Sequence, residues 1–311
     1  MNAYDRGAMP VVETDTLAYG AVHLDVTDGA RALSFWHDIV GLSMLESTRE
    51  ELRLGAGGRE LVILHPGAEK GVAPGHSGLY HLAIHLPDET ELARVIWRLI
   101  VAGYPQTPTD RTMSKSTNLC DPDGLGLELV LETPERLGAW RNEAGVLQLI
   151  DTDGNAHGIA EPLDVNEVLA QLPDRGFDQP LLPPGTKIGH LHLHVSEIES
   201  ALHFYRDLIG FREHIYAPEL GFVDLSAGGP FPHRLALNVW AGAGALQAPA
   251  GSAGLRSFTL VLPGREALAE VLDRLRKAGY KPEPVEGGEL VRDPAGSTLL
   301  LAVDPARSEQ R

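Results

Sequence analysis

The sequence predicts an α+β protein built from four βαβββ units arranged as two tandem pairs. Two long internal matches carry this reading. AVHLDVTDGARALSFWHDIVGL, residues 21–42, returns as HLHLHVSEIESALHFYRDLIGF, residues 190–211, at a constant offset of 169. HLAIHLPDETELARVIWRLIVAGY, residues 81–104, returns as SFTLVLPGREALAEVLDRLRKAGY, residues 257–280, at an offset of 176. A third, shorter match supplies the end of a unit. CDPDGLGLELVLE, from Cys120, resembles RDPAGSTLLLAVD, from Arg292. In both, Asp-Pro with a glycine two residues on marks a tight turn into a final strand.

Each unit follows the same order. A short alternation of apolar and polar residues reads as a strand, a turn follows, and apolar residues at helical spacing then run to a glycine. The closing glycines are Gly41, Gly103, Gly210 and Gly279. Units 1 and 2 fall within residues 1–135, and units 3 and 4 within 187–311. The connection, 136–186, is rich in Pro, Gly and Asp and reads as a linker with one short helix between Val165 and Leu172.

Composition narrows the ligand. A length of 311 residues suits about two domains of roughly 100–200 residues each. A formal net charge of −17 disfavours nucleic acid and anionic membrane, both of which need a basic surface. No apolar run approaches the roughly 20 residues needed to cross a bilayer. The N-terminus lacks the basic start and apolar core of a signal peptide. One cysteine, Cys120, excludes an intramolecular disulfide framework and fits a reducing cytoplasm. A small-molecule ligand is the expectation. Oligomeric state stays open, and a homo-oligomer is compatible with the sequence.

The segment IGHLHLHV places His190, His192 and His194 at alternate positions, so one strand face could present all three. A lone strand histidine is more often a packed or surface residue than a ligand. The four first strands can be read in columns. Ala21, His81, His190 and Ser257 share one column, and His23, Ala83, His192 and Thr259 the next. Asp25, His85, His194 and Val261 form the third.

Four such units, with ALHFYRDLIGF and DPDGLGLELV, resemble the vicinal oxygen chelate superfamily over nearly the whole chain. That group includes glyoxalase I, the bleomycin-resistance proteins and the extradiol dioxygenases. YHLAIHLPD, GHLHLHVS, SAGG and LNVWAG are most similar to the two-domain catechol 2,3-dioxygenase-like proteins of bacteria. The resemblance implies curved mixed sheets enclosing a metal pocket, with helices outside. It also implies that the ligand column is that of His81 and His190, and that Glu128 follows the Asp-Pro-Asp-Gly turn as the carboxylate ligand. Unit 4 has Ser257 and Leu300 at the matching places, so its site is expected to be lost. Because Ala21 cannot coordinate, the ligand chemistry favours unit 2 packing on unit 3 and unit 1 on unit 4, with His23 as the rival third ligand should units 1 and 2 pair instead.

Two imidazoles and one carboxylate make the three-ligand set of non-haem Fe(II) oxygenases, for which Mn(II) is an alternative. The implied activity is extradiol cleavage of a catechol or hydroquinone-type aromatic with O₂. His233, just before the last strand of unit 3, carries over as the acid–base residue. Asn238, Trp240, Tyr80 and Trp140 could line the pocket, although a regular strand would turn Tyr80 away from His81. Two other readings stay open. A glyoxalase-type lyase or isomerase commonly uses a further Glu or Gln, and RLALNVWAG has no glutamate. A bleomycin-resistance-type binding protein needs no metal and no triad.

Overall fold

A computed structural model describes residues 14–143, 145–173 and 181–304. Unit 1 runs Ala18–Val26, a helix Gly29–Leu33 continued by a π-helical turn Ser34–Ile39, then strands Ser43–Ser47, Leu52–Ala56 and Arg59–Pro66. Unit 2 runs Gly78–Leu86, helix Glu89–Val101, then Thr107–Asp110, Ser114–Cys120 and Gly126–Glu132. Unit 3 runs Lys187–His194, helix Ile198–Leu202 with a π-helical turn His203–Ile209, then Arg212–Ala217, Phe222–Ser226 and Leu235–Asn238. Unit 4 runs Gly254–Leu262, helix Arg265–Lys277, then Glu283–Val285, Gly288–Arg292 and Thr298–Val303.

Local chemistry explains the helices. Asp28 and Asp88 cap two of them by accepting from the backbone N–H of Arg31 and Glu91, three residues on. In unit 2, Leu92, Val95, Ile96 and Leu99 form one buried face at helical spacing. Phe35, Trp36, Phe204 and Tyr205 are fully buried at matching places in units 1 and 3. Burying a side chain of the Phe class contributes roughly 1.5–3 kcal/mol.

The units pair crosswise. Units 1 and 4 form an eight-stranded sheet, and units 2 and 3 form a nine-stranded sheet with a short strand of the connection, Glu161–Pro162, at its edge. At the centre of each sheet two first strands meet antiparallel: Ala18–Val26 with Gly254–Leu262, and Gly78–Leu86 with Lys187–His194. Each first strand also lies parallel to the last strand of its own unit. This is the pairing that the ligand chemistry favoured.

Both central seams carry two register shifts at matching places. One lies at Gly189 in the sheet of units 2 and 3 and beside Gly20 in that of units 1 and 4. A Cβ on Gly189 would meet the His85 ring at 1.9 Å, so only glycine fits there. The other leaves Tyr80 as the extra residue between His81 and Leu79, and Arg256 between Ser257 and Leu255.

The connection is more ordered than a linker reading suggests. Leu137–Glu143 and Val146–Asp151 form a hairpin, with Ala156–His157 alongside. Leu147 packs on Ile215 and Ala217, with Trp140 and Phe222 against them, so the hairpin lies on unit 3. The expected short helix is present at Val165–Leu169, capped by Asp164. No helix among the described residues is long and apolar enough to cross a membrane.

Candidate functional site

The seam of units 2 and 3 brings three side chains together. His81 Nε2 lies 3.1 Å from His190 Nε2, and Glu128 Oε2 lies 3.4 Å from the first and 3.2 Å from the second. All three residues are buried. Among the described residues this is the group of His, Cys, Asp or Glu whose donor atoms converge closely enough to hold an ion. Donors bonded at about 2.0–2.2 Å to one ion, at angles of about 90–109°, stand about 3.0–3.4 Å apart, so the spacing fits.

The protonation states fit as well. Burial holds His81 down to about 4 against the opposing pull of Glu128, and it holds His190 well below its usual value, with His233 adding to the effect. Burial pushes the Glu128 carboxyl up, but the Arg111 charge and the two imidazoles outweigh it, leaving it well below the usual range. Neutral imidazoles and an ionised carboxylate are the forms that bind metal.

Neighbouring groups set the carboxylate's direction. Glu128 Oε1 accepts from Ser116 Oγ at 2.7 Å and from Arg111 Nη1. That occupies one oxygen and leaves Oε2 facing the histidines. Arg111 reaches this point from a tight turn whose next residue, Thr112, has φ of 60°, the one positive value outside glycine among the described residues. Neither Ser116 nor Arg111 carried a recognisable motif.

His192 and His194 stand outside the cluster. Asn238 ties them together: its Nδ2 donates to His192 Nε2 at 2.7 Å, and its Oδ1 accepts from His194 Nδ1 at 2.6 Å. His23 lies in the other sheet and cannot serve this cluster. Tyr80 is where a regular strand would not put it. The register shift turns its ring onto His192 and His194, with centroids 4.8 and 4.9 Å apart. Trp240 stacks on Phe222 at 5.9 Å and approaches Tyr80 and His192 edge-on. A groove of about 910 Å³ opens beside His81 and Tyr80, and Arg256 and Arg292 of unit 4 also line it. Trp140 belongs to the hairpin and contacts His214, 6.4 Å between centroids.

His233 packs edge-on against His190, with centroids 4.2 Å apart, and is not one of the three converging groups. Its Nδ1 donates to Asp224 Oδ1 at 2.7 Å, while His214 Nδ1 donates to Oδ2 at 2.9 Å. Burial raises the Asp224 carboxyl, but the two histidines outweigh it and keep it low. An ionised Asp224 takes its hydrogen bond from His233 Nδ1, so that a neutral His233 ring carries its lone pair on Nε2. Asp224 had a legible signal, a charge inside the apolar strand FVDLS.

The family model of the Glyoxalase/Bleomycin resistance protein/Dioxygenase superfamily matches residues 19–129 and 187–300. Catechol-2,3-dioxygenase of Bacillus subtilis (strain 168) is 34% identical over 287 residues, covering 91% of this chain and 96% of that protein. Two crystal structures share the fold. One is a Bacillus subtilis subsp. subtilis str. 168 protein assigned only provisionally as a dioxygenase, with TM-score 0.59, 15% identity, and coverage of 94% of this chain and 87% of that one. The other is glyoxalase I from Zea mays, with TM-score 0.52, 16% identity, and coverage of 92% of each chain.

Proposed function

The chain belongs to the Glyoxalase/Bleomycin resistance protein/Dioxygenase superfamily, and from that premise we propose that it is an extradiol dioxygenase. It opens a catechol or hydroquinone-type ring with O₂, using Fe(II) held by His81, Glu128 and His190, with Mn(II) as the alternative ion. The observation that carries the reading is the convergence of those three donor atoms at the seam of units 2 and 3. A metal held by two histidines and one carboxylate supplies open positions for adjacent substrate oxygens and for O₂.

The chain's own residues supply the rest. His233 Nε2, freed by the Asp224 bond, accepts a proton from the diol and returns it later in the cycle. Arg111 and Ser116 keep Glu128 to a single facing oxygen. Tyr80, Trp240 and Phe222 form an aromatic wall suited to a phenolic ring. The single thiol, Cys120, suits a reducing cytoplasm.

The glyoxalase-type reading lacks a donor. Ala236 pairs with His192 as Glu128 pairs with Ala83, so alanine stands where unit 3 would offer a further carboxylate. The test is anaerobic purification, elemental analysis, and oxygen uptake over a series of catechols and hydroquinones. One iron per chain and substrate-dependent oxygen uptake are expected. A protein that binds no divalent metal, or one that binds iron and consumes no oxygen with any diol, sinks the proposal.

A further inference from the structure

His190 makes a second polar contact, away from the cluster. Its Nδ1 lies 2.9 Å from His85 Nε2, and His85 Nδ1 lies 2.7 Å from Glu132 Oε1. Arg234 Nη1 and Lys187 Nζ hold the same Glu132 oxygen at 2.7 and 3.0 Å. His85 and His190 are each 1% exposed, so water does not compete for these bonds.

Proton counting gives the chain a direction. Glu132, flanked by two cations, is an ionised acceptor and has no proton to offer. The proton between Glu132 and His85 is therefore on His85 Nδ1. In a neutral His85 ring, a proton on Nδ1 leaves the lone pair on Nε2. The 2.9 Å contact then requires a proton on His190 Nδ1. A neutral His190 with that proton has a bare Nε2, the atom that faces His81 and Glu128, so the His85–Glu132 pair must outcompete Glu128 Oε2, 3.2 Å from Nε2, for the single ring proton.

We propose that His85 and Glu132 are positioning residues that lock His190 in the Nδ1–H tautomer and present its Nε2 lone pair to the metal. The inference rests on the metal reading above. Outer partners of ligating histidines do this work generally, through a carboxylate or a carbonyl; here a second imidazole is interposed. Two further observations support a built device. Gly189 leaves room for the His85 ring, because a Cβ there would overlap it. In the other sheet the His85 position is Val261 and the His190 position Ala21, so the relay is missing where the ligand is missing.

The test reads the tautomer directly. Long-range ¹H–¹⁵N correlation on metal-free, ¹⁵N-labelled protein reports which ring nitrogen of His190 is protonated. Nδ1–H is expected in the unsubstituted protein. In His85→Phe the Nδ1–H tautomer should lose its preference, and Fe(II) affinity, measured anaerobically by chelator competition, should fall about 10–100-fold. His85→Gln should recover most of both, because an amide can donate to Glu132 and accept from His190. Protonation of His190 on Nε2 in the unsubstituted protein overturns the proposal without reliance on any variant. So does equal behaviour of His85→Phe and His85→Gln. The expected tautomer in a protein that binds no Fe(II) would instead refute the metal reading and leave the relay standing.

Discussion

The sheet of units 1 and 4 and the sheet of units 2 and 3 share a register and differ in what the register presents. His23 stands opposite Ser257 as His192 stands opposite His81. Leu300 pairs with Thr259 as Glu128 pairs with Ala83. Even the polar pairs correspond. His23 bonds His65 at 2.9 Å where His192 bonds Asn238. Arg53 bonds Glu60 at 2.8 Å where Asp224 bonds His233, with the basic and the acidic residue exchanged along the chain. Arg256, bulged like Tyr80, pairs with Asp25 at 2.7 Å where Tyr80 meets His194. The backbone thus carries a site-shaped frame twice. Ala21, Ser257 and Leu300 decide that only one frame carries donors of this kind. Chemistry here is a property of two columns, separable from the fold that holds them.

The largest expected effect comes from breaking the equipped frame. His81→Ala, Glu128→Ala or His190→Ala should each abolish tight iron binding, costing more than the roughly 10–100-fold typical of an outer partner. The fold should persist, since the other sheet folds with Ala21 in the matching place. Elemental analysis after desalting checks this, and full occupancy in His190→Ala would remove it from the ligand set. His233→Phe comes next. It should retain iron and still bind a catechol, while ring opening slows by about 10²–10⁴-fold. Unchanged turnover, or loss of iron, counts against the acid–base role.

Equipping the second frame sharpens the comparison. Ala21→His, Ser257→His and Leu300→Glu, made together, should raise bound metal from one to two equivalents per chain, read by elemental analysis. A stoichiometry still at one would show that Arg111, Ser116 and His85 are as necessary as the ligands.

The smallest effect lies in the turn both last strands share. Asp121 accepts from the backbone N–H of Asp123 and Leu125, and Asp293 from that of Ser297. Burial raises Asp121 to about 6, with Asp123 adding to it against the hydrogen bonds, and burial raises Asp293 too. With the folded value above the unfolded one, the native state binds more protons across the window from about 4 to about 6. Stability from this group therefore falls as pH rises through that window. Asp121→Asn keeps the acceptor oxygen and removes the charge. Its stability relative to the parent should be greater at about pH 8 than at about pH 4, on the order of 1–3 kcal/mol, read from urea midpoints. An equal difference at both pH values would show that the carboxyl does not titrate as its burial implies.

Features that repeat within the chain were legible in the sequence. The strands, helices and Asp-Pro turns follow local periodicity, and the family resemblance, read down the aligned columns, points to His81, Glu128 and His190. What escaped depends on contacts between distant strands. Tyr80 faces the site because of a register shift that belongs to the pair of strands, not to YHLAIHL alone. Arg111 reaches Glu128 from a turn set by the unusual φ of Thr112. The hairpin of 137–151 sits in the one long stretch with no second copy to compare, so its alternation had no support.

The nested pairing also governs how the chain is made. Unit 2 can close on unit 3, but the free edge of Ala18–Val26 waits for Gly254–Leu262, more than 200 residues later. At about 5–20 residues per second on the ribosome, that edge stays open for roughly 10–50 s. An unpaired strand edge invites pairing with other chains. The earliest strand among the described residues is thus among the last to be covered, and a nascent chain cut short before unit 4 exposes a ready template for aggregation.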